Sequence, residues 1–269
     1  MGQTFFWQFW VLFAVALLCS AMGFKKYVWF ISIGYGFAIA GIGLASLFLF
    51  PGAHDVGTII YCIVLFLYGC RLGGYLLYRE LKLLSYNKNM VGEIKDGKDM
   101  KFGLKIALWL SCGLLYLCET ACIFYRLHNA IPSDACLWIG LIITVTGIAL
   151  ESISDLQKAA AKKKNPNRFC DTGLFSFVRC PNYLGEMLIW TGVFVSGLTA
   201  LKSAGQWIIA LLGYLGIIYI MFSGARRLEI RQDKRYGDDP EYIKYKNSTP
   251  IMVPFVHLYS VKKHTWLVG

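Results

Sequence analysis

Seven long apolar segments constrain this chain more than any other feature of its sequence. Each is long enough to cross the hydrocarbon core of a bilayer as a helix, which takes about 20 apolar residues. The predicted spans are Phe5–Phe24, Val28–Phe50, Thr58–Tyr78, Phe102–Tyr125, Ala135–Ile153, Tyr183–Ala200 and Gln206–Gly224. With 57% hydrophobic and only 16% charged residues, the chain is too apolar for an ordinary soluble domain. The sequence therefore predicts an all-α polytopic membrane protein with seven transmembrane helices.

The basic residues are distributed unevenly over the loops between these spans. All of the 27 lysines and arginines except Arg126 and Lys202 fall on one predicted side. Because basic residues are retained in the cytoplasm, we expect the N-terminus outside or in the lumen and the C-terminus in the cytoplasm. The same residues suit anionic lipid headgroups, and without a nucleic-acid module we expect no nucleic-acid binding. The endoplasmic reticulum is the expected membrane, or the inner membrane if the source is prokaryotic.

Two polar stretches lie outside the spans. Glu80–Lys101 alternates in charge and is predicted to be a solvated cytoplasmic connector. Ala225–Gly269 begins as a helical continuation of the last span, and Gly237 is predicted to end that helix. Pro240 is expected at the first position of a short helix that follows. The second stretch is therefore predicted to be folded.

Oxygen-rich side chains recur at helical spacing on the predicted cytoplasmic side. Glu151 and Asp155 are four residues apart, as are Asn182 and Glu186, so each pair lies on one helix face. The cations expected on the same side are Arg168, Arg179, Arg226, Arg227 and the Lys162–Lys164 cluster. Together these groups suit a ligand with hydroxyls, an amide and phosphates, since arginine is well matched to phosphate. A salt-bridge network that seals the cytoplasmic edge is the alternative interpretation.

Two further patterns indicate packing rather than chemistry. The nine cysteines include no zinc-type spacing, so we expect neither a metal site nor a disulfide framework. The glycine-rich run of the second span follows no strand, so close helix packing is the better interpretation than a dinucleotide-binding loop.

Three sequence blocks resemble a known enzyme family. They are E-S-I-S-D-L-Q-K from Glu151, G-L-F-S-F-V-R-C-P-N-Y-L-G-E from Gly173, and S-G-x-x-x-L-E followed by Y-I-K-Y-K-N-S-T-P-I-M-V-P. Over about Glu151–Phe255 the chain resembles the steroid 5α-reductase and related sterol-reductase membrane family. The resemblance implies a seven-helix reductase that binds NADPH between its C-terminal helices and cytoplasmic loops. Cys180 stands where many relatives carry histidine, which argues against assuming a histidine-mediated step.

The resemblance also implies which residues contact the cofactor. The implied cofactor-binding residues are Asp155, Lys162 or Lys164, Arg168, Arg179, Asn182, Glu186, Arg226 or Arg227, Glu229, Tyr236 and Tyr245. It further implies a single membrane domain with substrate-side helices over residues 1–133 and the cofactor-binding region over residues 134–269.

The implied catalytic side rests on two residues. Tyr68 stands three residues before Arg71, which matches the family tyrosine that binds the substrate carbonyl. An interfacial aromatic anchor is the alternative role for Tyr68. The family's partner glutamate has no counterpart, because Val28–Phe50 contains no acid. Glu119 is a carboxylate deep within a span and is the candidate replacement, with a structural hydrogen bond as its alternative role.

Three functions remain open from the sequence. The first is NADPH-dependent reduction of a carbon–carbon double bond in a lipid enone or steroid-like substrate. The second is an S-adenosylmethionine-dependent methyltransferase resembling isoprenylcysteine carboxyl methyltransferase, to which Arg179, Pro181, Tyr183, Gly185 and Glu229 also fit. The third is a non-catalytic lipid-binding membrane protein. The S-D-L-Q-K segment and the N-Y-L-G-E ending favour the first over the second, and the density of polar groups at one membrane edge argues against the third. The oligomeric state stays open.

Overall fold

A computed structural model describes residues 3–82 and 100–268, and these residues form helices without any strand. The all-α class is therefore confirmed for this part of the chain. Within these two ranges the structure has nine α-helices, which are α1 (Trp7–Ser20), α2 (Ile33–Leu49), α3 (Val56–Lys82), α4 (Phe102–Glu119), α5 (Ala121–His128), α6 (Ala135–Lys164), α7 (Pro181–Gly197), α8 (Ala204–Tyr236) and α9 (Pro240–Ser248). Most of the predicted connector Glu80–Lys101 lies outside the described residues.

Six helical segments among the described residues are long and apolar enough to cross a membrane. They are Trp7–Phe24, Tyr27–Leu49, Val56–Lys82, Phe102–Glu119, Ala135–Lys164 and Ala204–Tyr236. The predicted sixth span corresponds to α7, whose 17 residues are at the short limit for a membrane-spanning helix. The chain is thus a multi-pass membrane protein by length and composition, while the count of seven is not confirmed. The orientation of the termini stays a prediction.

The predicted fourth span is divided into two helices at Thr120. Its hydroxyl donates hydrogen bonds to the carbonyl oxygens of Tyr116 and Leu117, both at 3.0 Å. A threonine hydroxyl bonded to the preceding turn bends or ends a helix. The break leaves Glu119 as the last residue of α4.

The chain forms two compact units, and the first holds the described residues of Met1–Leu141 and Val193–Tyr214. Helices α2 and α3 pack closely in this unit. A Cβ atom on Gly36 would lie 2.7 Å from the Gly73 Cα atom, so only glycine permits this approach. The glycine-rich run of the second span therefore serves helix packing, as predicted.

Polar contacts mark both ends of α3 in the first unit. Asp55 precedes the helix and accepts hydrogen bonds from the Thr58 backbone at 2.9 Å and the Ser133 hydroxyl at 2.8 Å. At the other end, Lys26 forms an ion pair with Glu80 at 2.5 Å. Since Asp55 precedes α3 and Glu80 lies in its last turn, these contacts tie other segments to opposite ends of the helix.

Arg126 is a fully buried arginine that joins three segments of the first unit. Its guanidinium donates to the Asp134 carboxylate at 3.1 Å, the Ser196 carbonyl at 2.8 Å and the Thr199 hydroxyl at 2.8 Å. A buried cation is tolerated where its donors are satisfied in this way. Arg126 therefore stabilises the unit by bringing α5, the start of α6 and the end of α7 together.

The second unit holds Ile142–Gly192 and Leu215–Gly269, of which residue 269 is not described. Helix α8 ends at Tyr236, directly before Gly237, as predicted. Helix α9 begins at Pro240, also as predicted, and the Asp239 side chain caps it by accepting a hydrogen bond from the Glu241 backbone. Residues 249–268, called the tail below, follow α9 without further helix.

Candidate functional site

Helices α6 and α7 touch backbone to backbone in the second unit. A Cβ atom on Gly147 would lie 2.6 Å from the Gly185 carbonyl oxygen, and one on Gly185 would lie 2.7 Å from the Glu151 backbone nitrogen. The Thr144 hydroxyl donates to the Ile189 carbonyl at 3.1 Å one turn further along. The contact therefore places Glu151 directly beside Gly185.

Gly185 stands between Asn182 and Glu186, so Glu151 faces the predicted amide–carboxylate pair. The three side chains each contribute a buried oxygen, namely Glu151 Oε2, Asn182 Oδ1 and Glu186 Oε1. Asn182 Oδ1 accepts no hydrogen bond from any residue that the structure describes. Buried amide oxygens nearly always have a donor. The site therefore offers an acceptor that a ligand N–H or O–H group can satisfy.

Asp155 lies one helical turn after Glu151 and is half-buried. The two acids predicted to share a helix face do so on α6. Ser152 and Ser154, between them, donate their hydroxyls to the carbonyl oxygens of Ile148 and Leu150. The two serine hydroxyls are therefore hydrogen-bonded within the helix, which leaves Glu151 and Asp155 as the candidate ligand-binding groups of this segment.

Arg179 and Glu229 form a buried ion pair that holds the tail. The guanidinium Nη2 lies 3.3 Å from Glu229 Oε1 and donates to the Tyr259 carbonyl oxygen at 2.5 Å. The other Glu229 oxygen accepts from the Val261 backbone at 2.9 Å. These contacts match the salt-bridge network that the sequence left as the alternative interpretation.

The backbone reinforces the same junction. The Arg179 N–H donates to the Pro250 carbonyl at 2.8 Å, and the Cys180 N–H donates to the Ile251 carbonyl at 2.9 Å. The start of α7 and the start of the tail are therefore paired by main chain as well as by side chains.

Asp233 extends this network and was missed by the sequence interpretation. It lies four residues after Glu229 on α8 and accepts hydrogen bonds from Lys246 at 2.7 Å, Lys262 at 3.0 Å and the Tyr242 hydroxyl at 2.9 Å. The spacing of the two acids on one helix face was the available signal. Together they bind α9 and the tail to α8.

The loop after α6 is held by four of the predicted cofactor residues. Lys162 donates to the Arg168 carbonyl at 2.5 Å and to the Tyr236 hydroxyl at 2.9 Å. Arg168 pairs with Asp171 at 2.7 Å and also with Glu241. Tyr236 packs in an aromatic cluster with Phe169, Tyr242 and Tyr245, and Tyr245 donates to the Phe175 carbonyl at 2.6 Å. These side chains shape the loop.

The remaining predicted cations differ in exposure. Arg226 donates to two carbonyl oxygens of the tail, whereas Lys164 and Arg227 are exposed. Arg227 also lies near enough to Tyr183, the neighbour of Asn182, for its charge to act on the Tyr183 hydroxyl. Arg227 is thus an accessible cation whose charge reaches Tyr183, the residue after Asn182.

Cys180, in the position where relatives carry histidine, immediately precedes α7. Burial raises the pKa of its thiol to about 11, although the neighbouring Arg179 charge acts in the opposite direction. The thiol therefore stays protonated near neutral pH and is a poor nucleophile.

A known protein family matches most of this chain. Residues 5–249 match the family described as "Protein of unknown function (DUF1295)". The chain belongs to the DUF1295 family. A curated relative of this DUF1295 chain is a very-long-chain enoyl-CoA reductase from Dictyostelium discoideum, 29% identical over 158 residues. The match covers 55% of the chain and 47% of the relative, so the DUF1295 chain spans about half the length of that protein. No solved structure matches it significantly.

The two predicted catalytic residues lie in the first unit of the DUF1295 chain. Tyr68 is buried on α3, and its hydroxyl oxygen is shielded from solvent. Glu119 is buried at the end of α4, where Thr120 breaks the helix. The break was not predicted, because the apolar pattern continues through it. Their roles in the chemistry stay predictions.

Proposed function

We propose that this chain is a membrane-embedded, NADPH-dependent reductase of a carbon–carbon double bond conjugated to a carbonyl group in a lipid. The observation that carries the proposal is the buried, unsatisfied amide oxygen of Asn182, beside Glu151 and Glu186 where α6 and α7 touch. The name of the Dictyostelium relative supports a fatty enoyl thioester as the substrate class. The sequence resemblance adds steroid-like enones, which carry the same conjugated group.

The residues at this contact fit the groups that NADPH presents. A nicotinamide carboxamide is an N–H donor, which is what Asn182 Oδ1 lacks, and the Glu186 carboxylate is a second acceptor nearby. Ribose hydroxyls are donors suited to Glu151 and Asp155. Exposed Arg227 and Lys164 supply positive charge for phosphates. Once bound, the cofactor supplies a hydride.

The other predicted cofactor residues act indirectly in this proposal. Lys162, Arg168, Tyr236 and Tyr245 hold the loop after α6, and Arg179, Arg226 and Glu229 hold the tail. Their contacts within the protein suit a structural support better than direct phosphate binding. Loss of any one of them is expected to weaken cofactor binding through the fold of these segments.

The proposed reaction adds a hydride at the carbon β to the carbonyl and a proton at the α-carbon. Tyr68 is proposed to donate a hydrogen bond that polarises the substrate carbonyl, the role its family counterpart is expected to play. Tyr68, with Glu119 assisting, is also proposed to supply the proton. The substrate is proposed to enter from the bilayer, and the endoplasmic reticulum is the proposed membrane.

Ligand-dependent thermal stability in detergent tests this function. A ligand that binds only the folded state stabilises it by about 2.7 kcal/mol at 100 times its dissociation constant. We expect NADPH to raise the melting temperature and S-adenosylmethionine to leave it unchanged. Asn182→Ala should lose the NADPH shift, whereas Asn247→Ala, an exposed asparagine on α9, should keep it. A shift with S-adenosylmethionine and none with NADPH would overturn the proposal in favour of a methyltransferase.

A further inference from the structure

The last part of the tail folds back along α8 towards its apolar portion. The Tyr219 hydroxyl donates to the Trp266 carbonyl oxygen at 2.9 Å and accepts from the Val268 N–H at 3.1 Å. The Tyr219 and Trp266 rings also pack with centroids 6.1 Å apart. Arg226 fixes the same segment by donating to the carbonyl oxygens of Lys262 and Leu267, at 3.1 Å and 3.3 Å. The position of Trp266 along α8 is therefore well defined.

Trp266 is held beside the part of α8 that is predicted to lie within the membrane. Helix α8 is long and apolar enough to span a membrane, and its sequence carries no charged residue before Arg226. Tyr219 precedes Arg226 by seven residues, so it lies about 10 Å further into the uncharged part of the helix. Trp266 packs against Tyr219 at that level. A segment tied there lies beside the uncharged part of a helix that is apolar enough to span a membrane.

The side chains of the segment have the character of an interfacial anchor. Trp266 is 64% exposed and Val268 is also exposed, whereas Leu267 between them is buried. Lys263 and His264, which come just before, are exposed and follow Lys262, whose carbonyl oxygen accepts a hydrogen bond from Arg226. Tryptophan is enriched at membrane–water interfaces, and lysine near the surface is attracted to anionic headgroups. The segment thus combines exposed apolar side chains, which suit the acyl boundary, with exposed basic ones, which suit the headgroups.

A second apolar projection occurs earlier in the tail. The Ile251 N–H donates to the Leu258 carbonyl at 2.8 Å and closes a short loop. Phe255 within this loop is 96% exposed and has a φ of 65°. A positive φ is uncommon for any residue other than glycine, and more so for a bulky one. An aromatic ring held outward on a closed, strained loop is costly in water. Apolar surroundings would remove the solvent-exposure part of that cost.

We propose that residues 255–268 form an interfacial anchor that inserts Trp266 into the acyl boundary of the membrane and binds anionic phospholipid headgroups through Lys263. The occupant is the phospholipid bilayer itself. The inference rests on the α8 contacts and on the tail side chains, and it does not depend on the proposed reductase activity.

The depth of Trp266 can be measured in the full-length protein. The protein is labelled with 5-fluorotryptophan and placed in nanodiscs of phosphatidylcholine and phosphatidylglycerol. Trp266→Phe identifies its fluorine resonance, and Trp10→Phe identifies a reference side chain that is 57% exposed on the apolar helix α1. A lipid spin-labelled at the top of its acyl chain and a water-soluble gadolinium chelate are compared as broadening agents.

We expect the lipid label to broaden the Trp266 resonance several-fold more than the chelate does, as it should for Trp10. Stronger broadening by the chelate would place the ring in water and overturn the anchor. The headgroup contact is tested by raising the fraction of phosphatidylglycerol in the nanodiscs. The higher fraction should increase the broadening of the Trp266 resonance by the lipid label in the wild type and in Lys244→Gln but not in Lys263→Gln. Both lysines are exposed, so the charge change is matched. Equal responses in the two variants would overturn the role of Lys263.

Discussion

The buried Arg179 guanidinium lies 3.3 Å from the Glu229 carboxylate, although the two residues are 50 positions apart in sequence. The same guanidinium donates to the Tyr259 carbonyl, and the same carboxylate accepts from the Val261 N–H. One ion pair therefore joins the start of α7, the middle of α8 and the tail. Arg179, which the sequence suggested as a phosphate ligand, makes these contacts within the protein, next to the candidate cofactor site.

Arg179→Ala is predicted to destabilise the protein strongly. It leaves the buried Glu229 carboxylate with Lys246, at 3.4 Å and partly exposed, as its counter-charge, and breaking a buried pair costs about 3–5 kcal/mol. Thermal unfolding in detergent measures the loss, with Lys244→Ala as an exposed-charge control. The double variant Arg179→Met/Glu229→Met should recover part of the stability, because no lone charge remains. Equal stability of the wild type and Arg179→Ala would show that the pair does not hold the tail.

Gly185→Ala is predicted to lose both stability and the NADPH-induced thermal shift. The added methyl group would lie 2.8 Å from the Gly147 carbonyl oxygen and 2.7 Å from the Glu151 nitrogen, so the helices must separate. Overpacking of this kind costs about 1–3 kcal/mol. Gly74→Ala is the matched control, since its methyl group meets nothing within 4 Å. A Gly185→Ala protein that keeps the full NADPH shift would separate the helix contact from the cofactor site.

The sequence predicted local features well and long-range partners poorly. Helical spacing placed Asn182 with Glu186 on one face. Gly237 correctly marked the end of α8, and Pro240 correctly marked the beginning of α9. Spacing along the chain carries no information on what Arg179 meets 50 residues later, so its ion pair with Glu229 could not be assigned. The facing of Glu151 and Gly185 likewise depends on how two helices pack.

The helix break at Thr120 shows a different limit. Apolar residues continue on both sides of Glu119 and Thr120, so hydropathy predicted one continuous span. At the break, the Thr120 hydroxyl bonds to the turn before it. Hydropathy averaged over a segment does not detect such a contact.

Acid is predicted to destabilise the first unit through Asp55. Burial alone would raise the pKa of this carboxyl, but hydrogen bonds from Thr58 and Ser133 outweigh it and lower the pKa to about 2. Since the unfolded pKa is about 3.9, the stabilisation is complete above that pH and is lost as the pH falls towards 2. Melting temperature against pH should fall less steeply in Asp55→Asn than in the wild type. Parallel curves would contradict the assignment.

Tyr68→Phe is predicted to lower turnover while leaving NADPH affinity unchanged. Removing a general acid typically costs about 10²- to 10⁴-fold in rate. Tyr78→Phe, an exposed tyrosine on the same helix, is the matched control. The measurement is the turnover number on an enoyl thioester together with the NADPH dissociation constant. Unaltered turnover would leave Tyr68, which is buried in the fold, with a structural role only.

The central claim is a hydride transfer from NADPH to a lipid double bond. The most direct test supplies NADPH deuterated at C4 of the nicotinamide ring and a long-chain 2-enoyl-CoA to the protein in nanodiscs, with a steroid enone in parallel. Mass spectrometry of the product should show one deuterium at the carbon β to the carbonyl, and none with Asn182→Ala. No NADPH-dependent reduction of either substrate by the folded wild-type protein would contradict the account.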